Sequence, residues 1–364
     1  MNLGILLPLG ESLADMARHG QDVRFVKYYL NHYCKNFTDV YIFSYSEESY
    51  PNLPSNCHLI CPSGPLHRYL YGVLLPFLHQ EEFAKCDVFR CFHPSSAVPA
   101  MIAKTFYGKR FIFNYNYNYS SWAKVEKKEM LVPFLKLSEW LAFKLCGHVF
   151  VADEQMQSHA YKFISKKKVT IVRNAVDVAA FRPRSKVKKK NKKIVLSVGR
   201  LETQKNYSQL IDAVSLLTFK NTKLLLVGKG TLRDKLIHQA NEKKVDLEII
   251  DVVPNNRLPQ IYNLADVYVQ PSLMEAPVKT LLEAMSCARP CVATNVVGIR
   301  DVISDGNDGL LAQLDSRDLK DKIDSLLTDK NLAKKIGSLA RKKIVAKYNL
   351  LDMLNLEVQV LKSL

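Results

Sequence analysis

Short apolar runs alternate with longer segments of helical spacing along this 364-residue chain. They do so twice, on either side of the lysine-rich stretch RSKVKKKNKK at 184–193. Strands separated by helices pair in parallel, with the helices covering both faces of the sheet. In the first half the strand candidates are 2–8 (NLGILLP), 39–45, 87–93, 110–116 and 148–153. Val23, Val26, Leu30 and Tyr33 predict a helix over 22–37, and SSAVPAMIAKTFYG predicts a crossover helix over 95–108. In the second half the strand candidates are 193–199, 222–228, 247–253, 266–272 and 290–295. Helices are expected over 206–219, 231–243, 256–264 and 279–287, with more beyond 315. The stretch 184–193 has no hydrophobic period and follows Phe-Arg-Pro, as an exposed linker does. The expectation is an α/β chain of two Rossmann-like domains, residues 1–183 and 194–345, joined by the basic linker 184–193. A last helix over 346–364 is a candidate to pack back on the first domain, a point periodicity does not decide.

Hydrophobic content of 48% with 24% charged residues describes a soluble globular chain, and no apolar run reaches the ~20 residues of a membrane span. The N-terminus carries Glu11 and Asp15 and lacks a basic leader, so no signal peptide and a cytoplasmic location are expected. Cys57/Cys61 and Cys287/Cys291 do not match a zinc knuckle, and the eight cysteines read as buried thiols in a reducing compartment. Charge is the uneven quantity. Residues 101–200 hold 22 lysines and arginines against 6 acids, a local charge of +16 within a total of +17. Such a block suits an anionic partner, either membrane surface or nucleic acid, unless it is only a well-solvated lysine surface.

In open parallel sheets ligands bind at the carboxyl ends of the strands. The loops after Gly199, Gly228, Val253 and Ser272 are therefore expected to converge. Arg200 and Lys205 flank the turn after Gly199, and two cations beside a helix N-terminus suit a diphosphate, although cations facing solvent are equally ordinary. The turn after Gly228 contains a second glycine that lets backbone approach a ligand. In SLMEAPVKTLLEAMSC the loop holds Glu275, and the next helix holds Glu283 among Leu281, Leu282, Ala284 and Met285. The amides of Val278, Lys279 and Thr280 then begin a helix and suit an anion. A carboxylate buried like Glu283 needs donors, which sugar hydroxyls would supply, or which Thr280 or a neighbouring amide would supply structurally.

The segments VGRLETQKN, LLLVGKGTLRDKL, ADVYVQPSLMEAPVKTLLEAMSCARPCVATNVVG and VISDGNDGLL resemble, in order over roughly 170–311, the nucleotide-sugar-binding domain of glycosyltransferase family 4. The resemblance implies a GT-B fold, two Rossmann-like domains with parallel sheets facing a central cleft. It implies a retaining hexosyltransferase that uses a UDP- or GDP-linked sugar, with no cofactor and no metal, consistent with the lack of any D-x-D. Its acceptor would be a glycan or lipid-linked sugar against the basic first domain, at an anionic membrane surface on the cytosolic face. By the same resemblance Arg200 and Lys205 clasp the diphosphate, Glu283 holds the ribose and Glu275 the transferred sugar, the two acids forming the family's E-x7-E. Asn174, Gly199, Gly228, Val253, Val278, Lys279 and Thr280 complete the implied donor contacts in this half. In the first half DVFRCFHPSSAVPAMIAK places His93 against the donor sugar, and LADMARHGQDVR resembles the glycine loop near the donor phosphates, with Gly20 in the key place. The chain departs from the family at Gln21, Ala175 and Val278, each standing where glycine is usual. Two other functions fit the residues: a nucleotide-sugar epimerase on the same fold, and a nucleic-acid-binding protein that stacks bases on NYNYNYSSW at 114–122.

Overall fold

The computed structural model describes every residue except 19–21, 65, 117–129, 131, 185–191 and 276–277. The chain forms two compact units, Met1–Arg173 together with Met353–Leu364, and Asn174–Asp352.

The first unit is built on a seven-stranded parallel sheet of β1 (Leu3–Leu6), β2 (Val40–Phe43), β3 (Cys57–Ile60), β4 (Val88–Cys91), β5 (Arg110–Tyr115), β6 (His148–Val151) and β7 (Val169–Ile171), in the order β3-β2-β1-β4-β5-β6-β7. β1 and β2 are unbroken non-polar runs buried on both faces, as helix-covered parallel strands should be, and β4 is equally buried although it carries Arg90. The expected helix at 22–37 forms as Asp22–Arg24, a wider π segment Phe25–Leu30, and Asn31–Asn36. The crossover helix is Ala97–Tyr107, entered through a short 3₁₀ turn at Pro94–Ser96 and stopped by Gly108 at φ 67°.

The second unit holds β8 (Lys193–Val198), β9 (Thr222–Val227), β10 (Asp246–Ile250), β11 (Val267–Gln270), β12 (Cys291–Thr294) and β13 (Leu310–Ala312), in the order β10-β9-β8-β11-β12-β13. Alternation along β8 and β9 divides the core. Leu196, Val198, Leu225 and Val227 pack on one face and Val195, Leu224 and Leu226 on the other.

Both sheets reverse direction once, between β1 and β4 in the first unit and between β8 and β11 in the second. At such a reversal the flanking loops leave in opposite directions and open a crevice at the strand ends, the usual ligand site of this architecture.

Several elements differ from the sequence expectation. The unit boundary falls after Arg173, so 174–183, expected to end the first domain, belongs to the second unit. The reason is visible in the backbone: Val176 bridges Asn349 and donates its N–H to the Tyr348 carbonyl. Most of the expected linker lies outside the described residues. Residues Met353–Leu364 group with the first unit. Inside the core the Arg90 guanidinium meets Glu357 through Nε at 2.9 Å, and Tyr33 donates to the same carboxylate oxygen at 2.6 Å. Nη2 stands 2.9 Å from that oxygen as an ion-pair contact without hydrogen-bond alignment.

Candidate active site

In the second unit the loops after β8, β9 and β11 are laced together. After β8, Gly199 donates to the Val227 carbonyl at 2.9 Å and Leu201 to that of Lys229 at 3.0 Å. The Glu202 carboxylate accepts from the Thr231 amide at 3.0 Å and its hydroxyl at 2.8 Å, bonds that lower the pKa of this acid. Gly228 makes the approach possible. Its φ is +146°, and a Cβ there would lie 2.0 Å from the Gly199 carbonyl oxygen.

The same β8 loop reaches β11 across the switch point. Leu273 donates to the Gln204 carbonyl at 2.9 Å, the Gln204 side chain donates to that of Met274 at 3.1 Å, and Lys205 Nζ meets Glu275 Oε1 at 2.5 Å. Lys205 and Glu275 are both largely withdrawn from water. Lys205 is thus not a cation facing solvent, and its partner within the unit is the first acid of the E-x7-E. Arg200 is the exposed one and makes no ion pair among the described residues.

Glu275 is only 6% exposed, and its second oxygen, Oε2, has no hydrogen-bond partner among the described residues. An acceptor left bare in this way costs about 1–3 kcal/mol, which a ligand hydroxyl would recover. The loop is held from behind at Gly298, where φ is +87° and a Cβ would lie 2.0 Å from the Glu275 carbonyl oxygen.

Glu283 is buried in helix Lys279–Ser286, as its apolar neighbours require, and accepts from the Tyr262 hydroxyl at 2.7 Å. Burial first, and then the Glu283 charge, raises the Tyr262 pKa well above its ordinary value, so this phenol remains a donor. The sequence offered Thr280 as the structural partner of Glu283; Thr280 instead donates to Gln270 Oε1 at 3.1 Å. Gln270, at the end of β11, also accepts from Tyr268 at 2.5 Å and donates to Ser272 at 2.9 Å and to Glu275 at 3.4 Å. Sequence reasoning passed over Gln270 and Tyr262. The one available signal was a glutamine closing the apolar run VYVQ.

Val278 is the buried N-cap of helix Lys279–Ser286 and has no side-chain oxygen with which to cap it. Lys279 and Thr280, in its first turn, are half-buried. Val253, after β10, is half-buried against the core; the contact of its loop with the β9 side is Asp251 to Arg233 at 2.5 Å. Asn174 is half-buried at the start of the unit, followed by buried Ala175.

In the first unit the switch point joins the loops after β1 and β4. His93 follows β4 and caps the turn Pro94–Ser96: its Nδ1 accepts from the Ser95 amide at 3.1 Å, and Ser95 Oγ lies 2.8 Å from the same nitrogen. Leu9 donates to Ser95 Oγ at 3.1 Å, which leaves the hydroxyl proton for His93. A backbone N–H has no choice of role, so Nδ1 is the unprotonated nitrogen and the ring's proton sits on Nε2. Burial lowers the imidazole pKa from 6.5 to about 4. Gly20 lies outside the described residues; the turn described at the end of β1 carries Gly10, at φ 84°.

The shift at His93 has a sign that can be tested. Between pH 6.5 and about 4 the unfolded chain binds a proton that the folded chain refuses, so stability falls as the pH drops through this window, by up to about 3 kcal/mol. His93→Asn keeps an acceptor for the Ser95 amide and removes the titration, so melting curves of the variant should depend less on pH than those of the parent. Parallel curves would show that the imidazole is not held neutral. His148 shifts in the same direction and is present in both proteins.

Among the described residues no three His, Cys, Asp or Glu side chains group as a metal site, no helix is long and apolar enough to cross a membrane, and all eight cysteines are free thiols.

Residues 179–343 match the family described as glycosyl transferases group 1. Over 254 residues the chain is 24% identical to the alpha-maltose-1-phosphate synthase of Mycolicibacterium smegmatis, covering 61% of this chain and 65% of that protein. It is 27% identical over 204 residues to the UDP-Gal:alpha-D-GlcNAc-diphosphoundecaprenol alpha-1,3-galactosyltransferase of Escherichia coli, covering 52% of each. The chain thus spans between half and two thirds of the length of these curated relatives. Among solved structures it superposes on Anabaena HepE in complex with UDP with a TM-score of 0.77 at 14% identity, covering all of both chains. Two parallel-sheet units, the matched stretch and these likenesses agree: the chain has a GT-B fold of two Rossmann-like units, and its residues 179–343 match the glycosyl transferases group 1 family.

Proposed function

We propose that the protein is a retaining, metal-independent glycosyltransferase that moves a hexose or related sugar from a UDP- or GDP-linked donor to a glycan or lipid-linked acceptor. Its place would be the cytosolic side of an anionic membrane, in the making of a polysaccharide or glycolipid. The observation that carries this reading is the buried Glu275 at the sheet's switch point, with one oxygen on Lys205 and the other without a partner among the described residues. A lone structural ion pair has no use for a bare, buried acceptor, whereas a sugar hydroxyl donates to one directly. The UDP bound to HepE and the UDP-galactose donor named for the Escherichia coli relative support a nucleotide-sugar ligand.

In the proposed reaction the bond between the sugar's anomeric carbon and the diphosphate oxygen breaks while the acceptor oxygen bonds that carbon on the same face. The acceptor's proton passes to the departing diphosphate. Charge develops on that diphosphate, so Arg200, Lys205 and the helix amides at Val278, Lys279 and Thr280 act where the transition state needs them. Glu283, held by Tyr262, takes the ribose hydroxyls, and His93 keeps the catalytic role implied by the resemblance.

Thermal shift with UDP, GDP and their sugars is the first test: a ligand at 100 times its Kd stabilises by about 2.7 kcal/mol. No shift with any of them, together with salt-dependent binding of DNA or RNA, would replace this reading by the nucleic-acid one. A donor converted to its epimer without an acceptor would replace it by the epimerase. Glu283→Ala is expected to weaken donor binding chiefly, whereas Glu275→Ala should reduce transfer with a smaller loss of nucleoside-diphosphate affinity. If both variants only melt earlier and transfer sugar normally, the two acids are structural.

A further inference from the structure

Three helices of the first unit, Arg68–Leu78, Ala97–Tyr107 and Val132–Leu145, lie side by side with the second of them in the middle. The first sends Tyr71 and Leu75 into the core but also turns Tyr69, Leu70, Val73 and Phe77 outward. Phe77 meets Phe106 of the middle helix edge-on, with ring centroids 5.2 Å apart, and Phe106 is 65% exposed. The third shows Phe134, 64% exposed, and then Leu137 and Trp140 at helical spacing. A helix at a protein surface normally turns such a stripe inward, and a run of exposed aromatics across neighbouring helices marks a surface that another body covers.

Charge on this face has one sign. The three helices contain a single acid, Glu139, which is buried, against Lys104, Lys136 and Lys144; the fourth cation, Arg68, stands 3.9 Å from Asp15. At the amino ends of β5 and β6 the face continues into a cavity of about 440 Å³ lined by Lys104, Arg110, Lys144 and Lys168, with no Asp or Glu in its wall. None of these four cations pairs with a carboxylate among the described residues. Leu364 also lines the cavity, and even its terminal carboxylate would set one negative charge against four positive ones.

We infer that this face docks on an anionic lipid bilayer: Phe77, Phe106, Phe134 and Trp140 enter the headgroup boundary, while Lys104, Lys136, Lys144 and the basic cavity hold lipid phosphates. Aromatic rings favour that boundary, and cations beside it add an attraction that neutral lipid does not offer. A second copy of the chain is a poor occupant, because two such faces would press cation against cation. The inference deepens the membrane part of the proposed function and locates it on named residues.

The test is co-flotation of the full chain with vesicles at low salt, without donor. Vesicles rich in phosphatidylglycerol should carry the protein, phosphatidylcholine vesicles should not, and rising ionic strength should release it. Lys104→Ser/Lys136→Ser/Lys144→Ser should lower partitioning on the order of a hundredfold, at roughly fivefold per cation. Phe106→Ser/Phe134→Ser should also release the protein. All five side chains lie outside the core, and the thermal shift by UDP is read on the same preparations. A variant that keeps the shift and loses vesicles supports docking, while loss of the shift in the parent counts against the donor reading and leaves docking to its own result. Docking is overturned by equal binding to phosphatidylcholine, by unchanged binding of either variant, or by self-association without vesicle binding.

Discussion

Replacing Lys205 by alanine is expected to cost the protein twice, in turnover and in stability. The ammonium faces the Glu275 carboxylate at 2.5 Å in a place largely closed to water. Removing it leaves a buried carboxylate with neither oxygen ion-paired, a loss of about 3 kcal/mol, the lower end of the range for broken buried pairs. If Lys205 also meets the leaving diphosphate, kcat should fall ~100-fold or more, on the scale of a lost oxyanion donor. Arg200→Ala separates the two effects. Arg200 is exposed and unpaired among the described residues, so its variant should melt with the parent while losing a comparable part of kcat. Turnover measured well below the melting temperature decides the matter. A Lys205 variant that is unstable yet transfers sugar at the parental rate would make the lysine a structural counter-ion only.

Glu357→Ala is expected to destabilise the first unit by about 3–5 kcal/mol, since Arg90 is fully buried and Glu357 is its carboxylate partner. Two rings, Phe92 and Phe150, lie 4.4 and 4.9 Å from the guanidinium and help to hold it, but they do not neutralise it. Tyr33 would lose its acceptor in the same step. Replacing both charged partners, as in Arg90→Met/Glu357→Leu, should recover much of the loss, because the cost lies in the uncompensated charge. Urea unfolding of the two variants checks this, and a single variant that loses less than about 1 kcal/mol would show that water reaches the guanidinium.

The central strands were legible because burial on both faces writes them as unbroken apolar runs: Leu3–Leu6, Val40–Phe43, Thr222–Val227 and Val267–Gln270 all fall within the expected stretches. β3 was not, because at the sheet edge all four of its residues are only half-buried and the run Cys57–Ile60 is too mixed to stand out. Helix Arg68–Leu78 was missed for the opposite reason. It is apolar both inward and outward, and it holds Gly72 and Pro76, residues that ordinarily interrupt a helix. At the site, the residue types at 205, 275 and 283 were readable one by one from their loops and neighbours. Their partners were not, since Lys205 and Glu275 are 70 residues apart and Tyr262 and Glu283 are 21 apart, and only the sheet order brings them together.

The return of Met353–Leu364 to the first unit bears on how the chain is made. Synthesis runs from the N-terminus, so all thirteen strands of the described residues emerge from the ribosome before the Glu357 carboxylate exists. Until then Arg90 has no counter-ion and the first unit lacks its last segment, whereas every residue of the second unit, Asn174–Asp352, has already been made. The part of the protein made first is therefore the part finished last. A chaperone that holds nascent chains would meet it before Arg90 has its carboxylate partner.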